Sequence, residues 1–149
     1  MNAKERVLQR EYQRGRAAAL EVQERSADMS GTELYAVDDR IPRFLKAREV
    51  QNTLYRPVGF VCKSSAGRVV SLIQPYDSDI YTQEPEELSA QWRFWWSTDP
   101  AKALPFVALS TSPYNTGECC TWEGVAKRSV IDNNVWSPAD LPTGWEVAE

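Results

Sequence analysis

The chain has 149 residues, 42% of them hydrophobic and 26% charged, with a formal net charge of −4. That length suits one ordinary domain or two very small ones, and the apolar fraction is enough for a core, so a large multidomain enzyme and wholesale disorder are excluded. The chain also has no histidine, which removes Ser-His-Asp and Cys-His nucleophile systems, histidine general bases and histidine-ligated zinc.

Further classes fall on pattern. No apolar run approaches the roughly 20 residues that cross a bilayer, and the opening Met1-Asn2-Ala3-Lys4-Glu5-Arg6 lacks the apolar region of a signal peptide. A pI near 5.0 argues against a nucleic-acid-binding field. Cys62, Cys119 and Cys120 are an odd count with no CxxC spacing, and adjacent Cys119 and Cys120 on a strand point to opposite faces. They read as reduced, structural thiols of a chain made in a reducing cytoplasm. No metal site, cofactor, membrane contact or nucleic-acid partner is expected.

Residues 1–25 hold six basic and four acidic side chains and no proline, with Ala17-Ala18-Ala19 inside. Helix propensity is high, and residues 1–28 are assigned to an N-terminal helical unit. Leu8, Tyr12, Gly15, Ala19 and Val22 fall on one thin seam. Two readings stand: a helix packed on its own domain or projecting into solvent, and a helix that docks on a partner or self-associates. The segment is the basic part of the chain, for the remainder carries 11 basic and 17 acidic residues, a net −6.

Residues 29–53 read as a short helix and linker. Ser30-Gly31-Thr32-Glu33 fits a capping box, with a helix running to about Val37, and Ile41-Pro42 forces an extended step. Beyond Gln51, short apolar runs broken by Gly, Pro, Asn and Asp describe β structure with long loops.

A repeat with a period of about 58 residues emerges when the second half is laid over the middle. Gly59-Phe60-Val61-Cys62 matches Gly117-Glu118-Cys119-Cys120. Turn glycines Gly67 and Gly124 follow, then Val70-Ser71-Leu72-Ile73-Gln74 and Arg128-Ser129-Val130-Ile131-Asp132, and each copy ends in a tryptophan, Trp92 or Trp145. Each copy is expected to be a hairpin whose terminal tryptophan packs back over the sheet. The expected fold is α+β, mostly β: an N-terminal helix, then two small antiparallel modules at 54–108 and 109–149.

The C-terminal stretch from Pro113 carries the sharpest motifs. Pro113-Tyr114-Asn115-Thr116-Gly117-Glu118, Ile131-Asp132-Asn133-Asn134-Val135-Trp136-Ser137-Pro138 and Pro142-Thr143-Gly144-Trp145 together resemble the chitin-binding type-3 domain, the carbohydrate-binding modules of families five and twelve. More narrowly, they look like a module of tailed-phage proteins that often occurs as a tandem pair, with residues 73–92 like a degenerate first member. The resemblance implies a virion structural protein (tail, fibre or capsid decoration), not an enzyme. Its module would attach to cell-surface polysaccharide, and its helix would dock on other virion proteins. The alternative is a purely structural assembly protein that binds no glycan.

Sugar rings offer flat C–H faces on which exposed aromatics stack, so each aromatic is weighed between platform and core. Trp122, just before the turn at Gly124, is divided between platform and core, and Trp145 reads as core closure first; any sugar binding is expected on a flat strip formed by these two. Asn133 and Asn134 stand where relatives carry aromatics and are expected to bond hydroxyls. Trp136 and Tyr114 complete the candidate set, both read as core first, and Trp92, Trp95 and Trp96 read as an interface between the modules. Glu84, Glu86 and Glu87 read as solvated loop charge. Asp77 and Asp79 resemble half a calcium loop without the rest of it.

Overall fold

In the computed structural model, which describes residues 2–149, the first helix α1 spans Ala3–Arg25. Asn2 caps it reciprocally with Glu5: the Glu5 N–H donates to the Asn2 side chain at 2.9 Å, and the Asn2 N–H donates to the Glu5 carboxylate at 3.0 Å. Residues 2–17 are exposed on every side, so about 20 Å of helix stands clear of the body. Leu8 and Tyr12 lie 56% and 69% exposed, and only the C-terminal end of the expected seam packs. Val22 is buried, and Gln23 bonds the backbone of Val61 in both directions. The last two turns of α1 thus pack on the body, while the rest of the helix projects from it.

The helix α2 (Gly31–Ala36) carries the expected capping box between Ser30 and Glu33. It approaches the sheet closely at Gly31, where an added Cβ would sit 2.1 Å from the Trp96 carbonyl oxygen. One turn later Tyr35 donates its hydroxyl hydrogen to the Trp95 carbonyl and accepts from the Val69 N–H. After the extended Ile41-Pro42 step, α3 (Phe44–Val50) buries Phe44 and Ala47.

Two sheets follow. The first is the antiparallel set β1 (Val61–Lys63), β2 (Val69–Leu72) and β3 (Trp92–Phe94). The second runs in order β4 (Leu104–Pro105), β5 (Cys119–Trp122), β6 (Val125–Ser129) and β7 (Trp145–Val147), antiparallel except for the short β4–β5 pair. Because β4 pairs with Cys120 and Thr121, the second sheet draws a strand from before residue 109, and the division at 108/109 does not separate the sheets.

The sequence repeat is a repeat of hydrogen bonds. The Gly59 N–H donates to the Leu72 carbonyl at 2.7 Å, and the Gly117 N–H to the Ser129 carbonyl at 2.8 Å. Ile73 and Val130 then donate to Gln91 and Gly144, and Trp92 and Trp145 open β3 and β7. Gly59 and Gly117 share a φ near +90°, at 91° and 93°, a conformation open to glycine at no steric cost. One detail departs from the 58-residue spacing. The second hairpin is one residue shorter, so Leu72, not Ser71, matches Ser129. Its tight turn has positive φ at both Glu123 and Gly124, the geometry whose twist suits a two-residue hairpin.

Side-chain alternation gives the first sheet two covered faces. Val61 and Val69 meet Val22, Leu34 and Tyr35 from the helices and Ile41 from the extended step after them. Cys62, Val70, Leu72, Trp92 and Phe94 enter the larger core with Phe44, Tyr114, Cys120 and Trp145. An aromatic stack joins the halves: Phe94 on Trp96 at 6.0 Å, Trp96 on Tyr114 at 4.3 Å, and Tyr114 on Phe106 at 5.5 Å. Of the three tryptophans expected between the modules, Trp96 bridges them. Trp92 instead packs edge-on against Phe44 and Tyr76, and Trp95 faces the helices.

Candidate functional site

The six residues marked by their motifs separate into three that are buried and three that reach solvent. Tyr114 is stacked between Trp96 and Phe106 and is 1% exposed; burial pushes its phenol far up. Trp145 is 7% exposed and donates its indole N–H to the Trp136 carbonyl at 2.9 Å. Its ring meets Phe106 and Tyr114 by its edge, with interplanar angles of 90° and 69°.

Asn134 is wholly buried. Its amide NH2 donates to the Ser129 hydroxyl and the Gly144 carbonyl, its side-chain oxygen accepts from the Trp136 N–H, and its backbone pairs with Tyr114. These bonds tie the long loop 130–144 to the hairpin, and none of them is free for a sugar. The expectation that Asn134 bonds ligand hydroxyls is therefore corrected: the amide satisfies the module's own backbone, as buried polar groups must.

Asn133 is exposed at φ 53°, with its N–H donating to the Asn115 side chain. Trp136 reverses its expected place. It lies 49% exposed because its backbone, not its ring, makes the loop's structural bonds. Trp122 is half-buried as expected, its edge contact being to Phe106 at 6.1 Å and 78°.

Trp122 and Trp145 do share one face of the second sheet, but at opposite ends of it: Trp122 pairs with Val125 at the turn, and Trp145 pairs with Ser129. Phe106 sits between them at about 6 Å from each, with its ring steeply inclined to both. The expected flat strip is absent, and the surface that remains for stacking is Trp136 and part of Trp122. Sequence reasoning missed Phe106, whose placement comes from the long-range pairing of β4 with β5.

The other candidates resolve into structure. Asp77 and Asp79 both accept from the Asn52 side-chain amide. That bond and the Asp79 N–H hold the Asp77 carboxyl low. Glu84 accepts from the Ser65 N–H, and Glu86 pairs with the buried Arg68 at 3.1 Å, so these two loop carboxylates do more than face solvent. All three cysteines are buried and unpaired with one another. Burial pushes each thiol up, Cys120 to about 12, so none is poised as a thiolate nucleophile. Among the described residues no cluster of three or more Cys, Asp or Glu is placed to hold a metal, and no helix is long and apolar enough to cross a membrane. Searches against protein-family models, curated proteins and solved structures each returned no match for the chain.

Proposed function

We propose that this chain is a structural protein of a tailed-phage virion, held to the particle by α1 and displaying its β body. The observation that carries the reading is the free run of α1: residues 2–15 are all solvent-exposed, yet they include Val7, Leu8 and Tyr12, all more than half exposed. A capped, pre-formed helix that leaves apolar side chains in water suits insertion into a groove of another protein, because its ordering cost is already met. The virion setting rests on the resemblance of residues 113–149 to the phage-associated module. With Tyr114, Asn134 and Trp145 enclosed, the motif residues themselves support the assembly role better than sugar stacking.

Immunogold electron microscopy of the parent particle tests this. Label on the particle for the full chain, lost for a chain lacking residues 2–16, is the expected result. Label absent with the full chain overturns the virion role, and label retained without those residues overturns docking by α1.

A further inference from the structure

The free run of α1 ends beside an apolar groove of about 220 Å³, walled by Ala19 and Leu20 of the helix and by Pro42, Ala47, Val50 and Phe60 of the body. Leu20 and Val50 lie 53% and 72% exposed there. We propose that two copies of the chain pair antiparallel through α1, each laying the N-terminal half of its helix into the groove of the other.

The helix carries the pattern for such a pair. With about 3.6 residues per turn, Leu8, Tyr12, Gly15 and Ala19 share one face, and Arg6, Arg10 and Arg14 fall on the opposite one. Large side chains occupy the first half of the apolar face and small residues the second. Two copies run antiparallel along it set Leu8 over Ala19 of the second copy and Tyr12 over its Gly15, and the two-fold axis repeats both contacts. Each layer thus joins a large side chain to a small residue, and the space at Gly15 is open, with nothing within 4 Å of an added Cβ. A parallel pair would set Leu8 on Leu8 and Gly15 on Gly15, leaving a gap.

The groove selects the same occupant. Because α1 forms one wall, whatever fills the groove lies against α1, and continuing the antiparallel register past Leu8 brings the first turn of the second helix there. That turn carries Glu5, and the groove carries Lys46 and Arg56. Arg56 bonds the Ala47 carbonyl and lies over the Phe60 ring, and its buried Nε has no hydrogen-bond partner. Among the described residues Arg56 pairs with no carboxylate, and Lys46 meets only Glu49, at 3.7 Å on open surface. Charge favours the exchange overall: residues 2–15 hold four basic and two acidic side chains, the rest of the chain 13 and 19. Each basic arm therefore leaves water for an acidic body. The contact is small, with a Kd on the order of 100 µM. Low-micromolar solutions, as used for unfolding, hold monomer, and copies held side by side on a particle close the pair.

This inference rests on the reading of α1 as an interaction element and names the partner of its apolar face; Arg6, Arg10 and Arg14 stay outward for the particle. Sedimentation equilibrium of the full chain, from about micromolar to millimolar, should fit a monomer–dimer equilibrium of a 16.9 kDa unit. Leu8→Glu should weaken pairing by at least about tenfold, and Gln13→Ala, on the back of the helix, should leave it unchanged. Both positions are exposed, so both variants keep the fold. Register is read by crosslinking with oxidised glutathione, the native cysteines being buried. Chains with Leu8→Cys mixed with chains with Ala19→Cys should give the mixed dimer, and neither alone should crosslink. A chain that stays monomeric throughout, full pairing by Leu8→Glu, or Leu8→Cys that links to itself as readily as to Ala19→Cys overturns the proposal. A monomer whose particle label is still lost on truncation makes another virion protein the occupant of α1, so the docking reading stands or falls separately.

Discussion

Gln23 and Val61 exchange two hydrogen bonds: the Gln23 amide donates to the Val61 carbonyl at 2.7 Å, and its oxygen accepts from the Val61 N–H at 2.9 Å. A side-chain amide thereby stands in for a neighbouring strand on the open edge of β1. Further along, the Lys63 N–H donates to the Pro42 carbonyl, so the same edge is closed by chain from both sides of α2. Unpaired edges invite pairing with other chains, and here the edge is covered from within.

The first prediction follows. Removing residues 2–16 should leave the denaturant midpoint nearly unchanged, because every one of those residues is solvent-exposed. Removing residues 2–25 deletes Val22 and Gln23 and should destabilise the body. Gln23→Ala alone should cost about 1–3 kcal/mol by leaving a backbone donor and acceptor unpaired. Urea unfolding of the three variants measures all of this; equal midpoints for the two truncations would contradict it.

Gly31 supplies a second prediction. An added methyl group would lie 2.1 Å from the Trp96 carbonyl oxygen, and this is backbone that cannot swing aside. Gly31→Ala should push α2 off the strand, strain the Tyr35 bonds to Trp95 and Val69, and cost about 1–3 kcal/mol as overpacking does. Gly15→Ala, in open helix surface with nothing within 4 Å, should instead stabilise by up to about 1 kcal/mol. Thermal unfolding of the pair checks the opposite signs.

The two terminal tryptophans should part company in the same assay. Trp145→Ala opens a hole beside Phe106 and Tyr114 and should cost about 3–5 kcal/mol. Trp136→Ala keeps the backbone groups that serve Asn134 and Trp145 and removes a ring already half in water, so its cost should stay under about 1 kcal/mol. Similar losses for both would place the Trp136 ring in the core after all.

Much of the scaffold was legible because it is written locally. The Ser30–Glu33 box, the turn glycines Gly67 and Gly124 and the matched tryptophans are short-range signals, and the hairpins follow from them. The candidate site was less legible because exposure is decided at long range. Trp136 and Trp145 both belong to the C-terminal motifs, yet the Trp145 ring is enclosed with its indole bonded to the Trp136 backbone, while the Trp136 ring is left half exposed. Asn134 looks like a surface amide until the loop 130–144 closes over it. Phe106 gains its place only when β4 lies beside β5, and no spacing near residue 106 announces that pairing. A groove lined by Arg93 and Glu118 joins segments from three parts of the chain, and the 113–118 motif forms only one of its walls.

The last prediction concerns that groove through folding alone. Burial raises the Glu118 carboxyl above its usual range, while the Asn115 N–H and the Arg93 charge oppose the shift and Asp132 adds to it. A carboxyl raised in the folded state binds its proton more tightly there than in the unfolded chain. Its contribution to stability is therefore fully present below the unfolded value, near 4.5, and is lost as pH rises through the folded one. Gln keeps an oxygen to accept from the Asn115 N–H and has no charge to desolvate. Glu118→Gln should thus unfold at a higher denaturant midpoint than the wild type at pH 7, and the gap should close as pH falls below about 4.5. Solvent contact at the groove keeps the gain small. Urea unfolding across pH 3.5–7.5 reads it, and a variant less stable than the wild type at pH 7 would mean that the ionised carboxylate is held by its neighbours more strongly than burial opposes it.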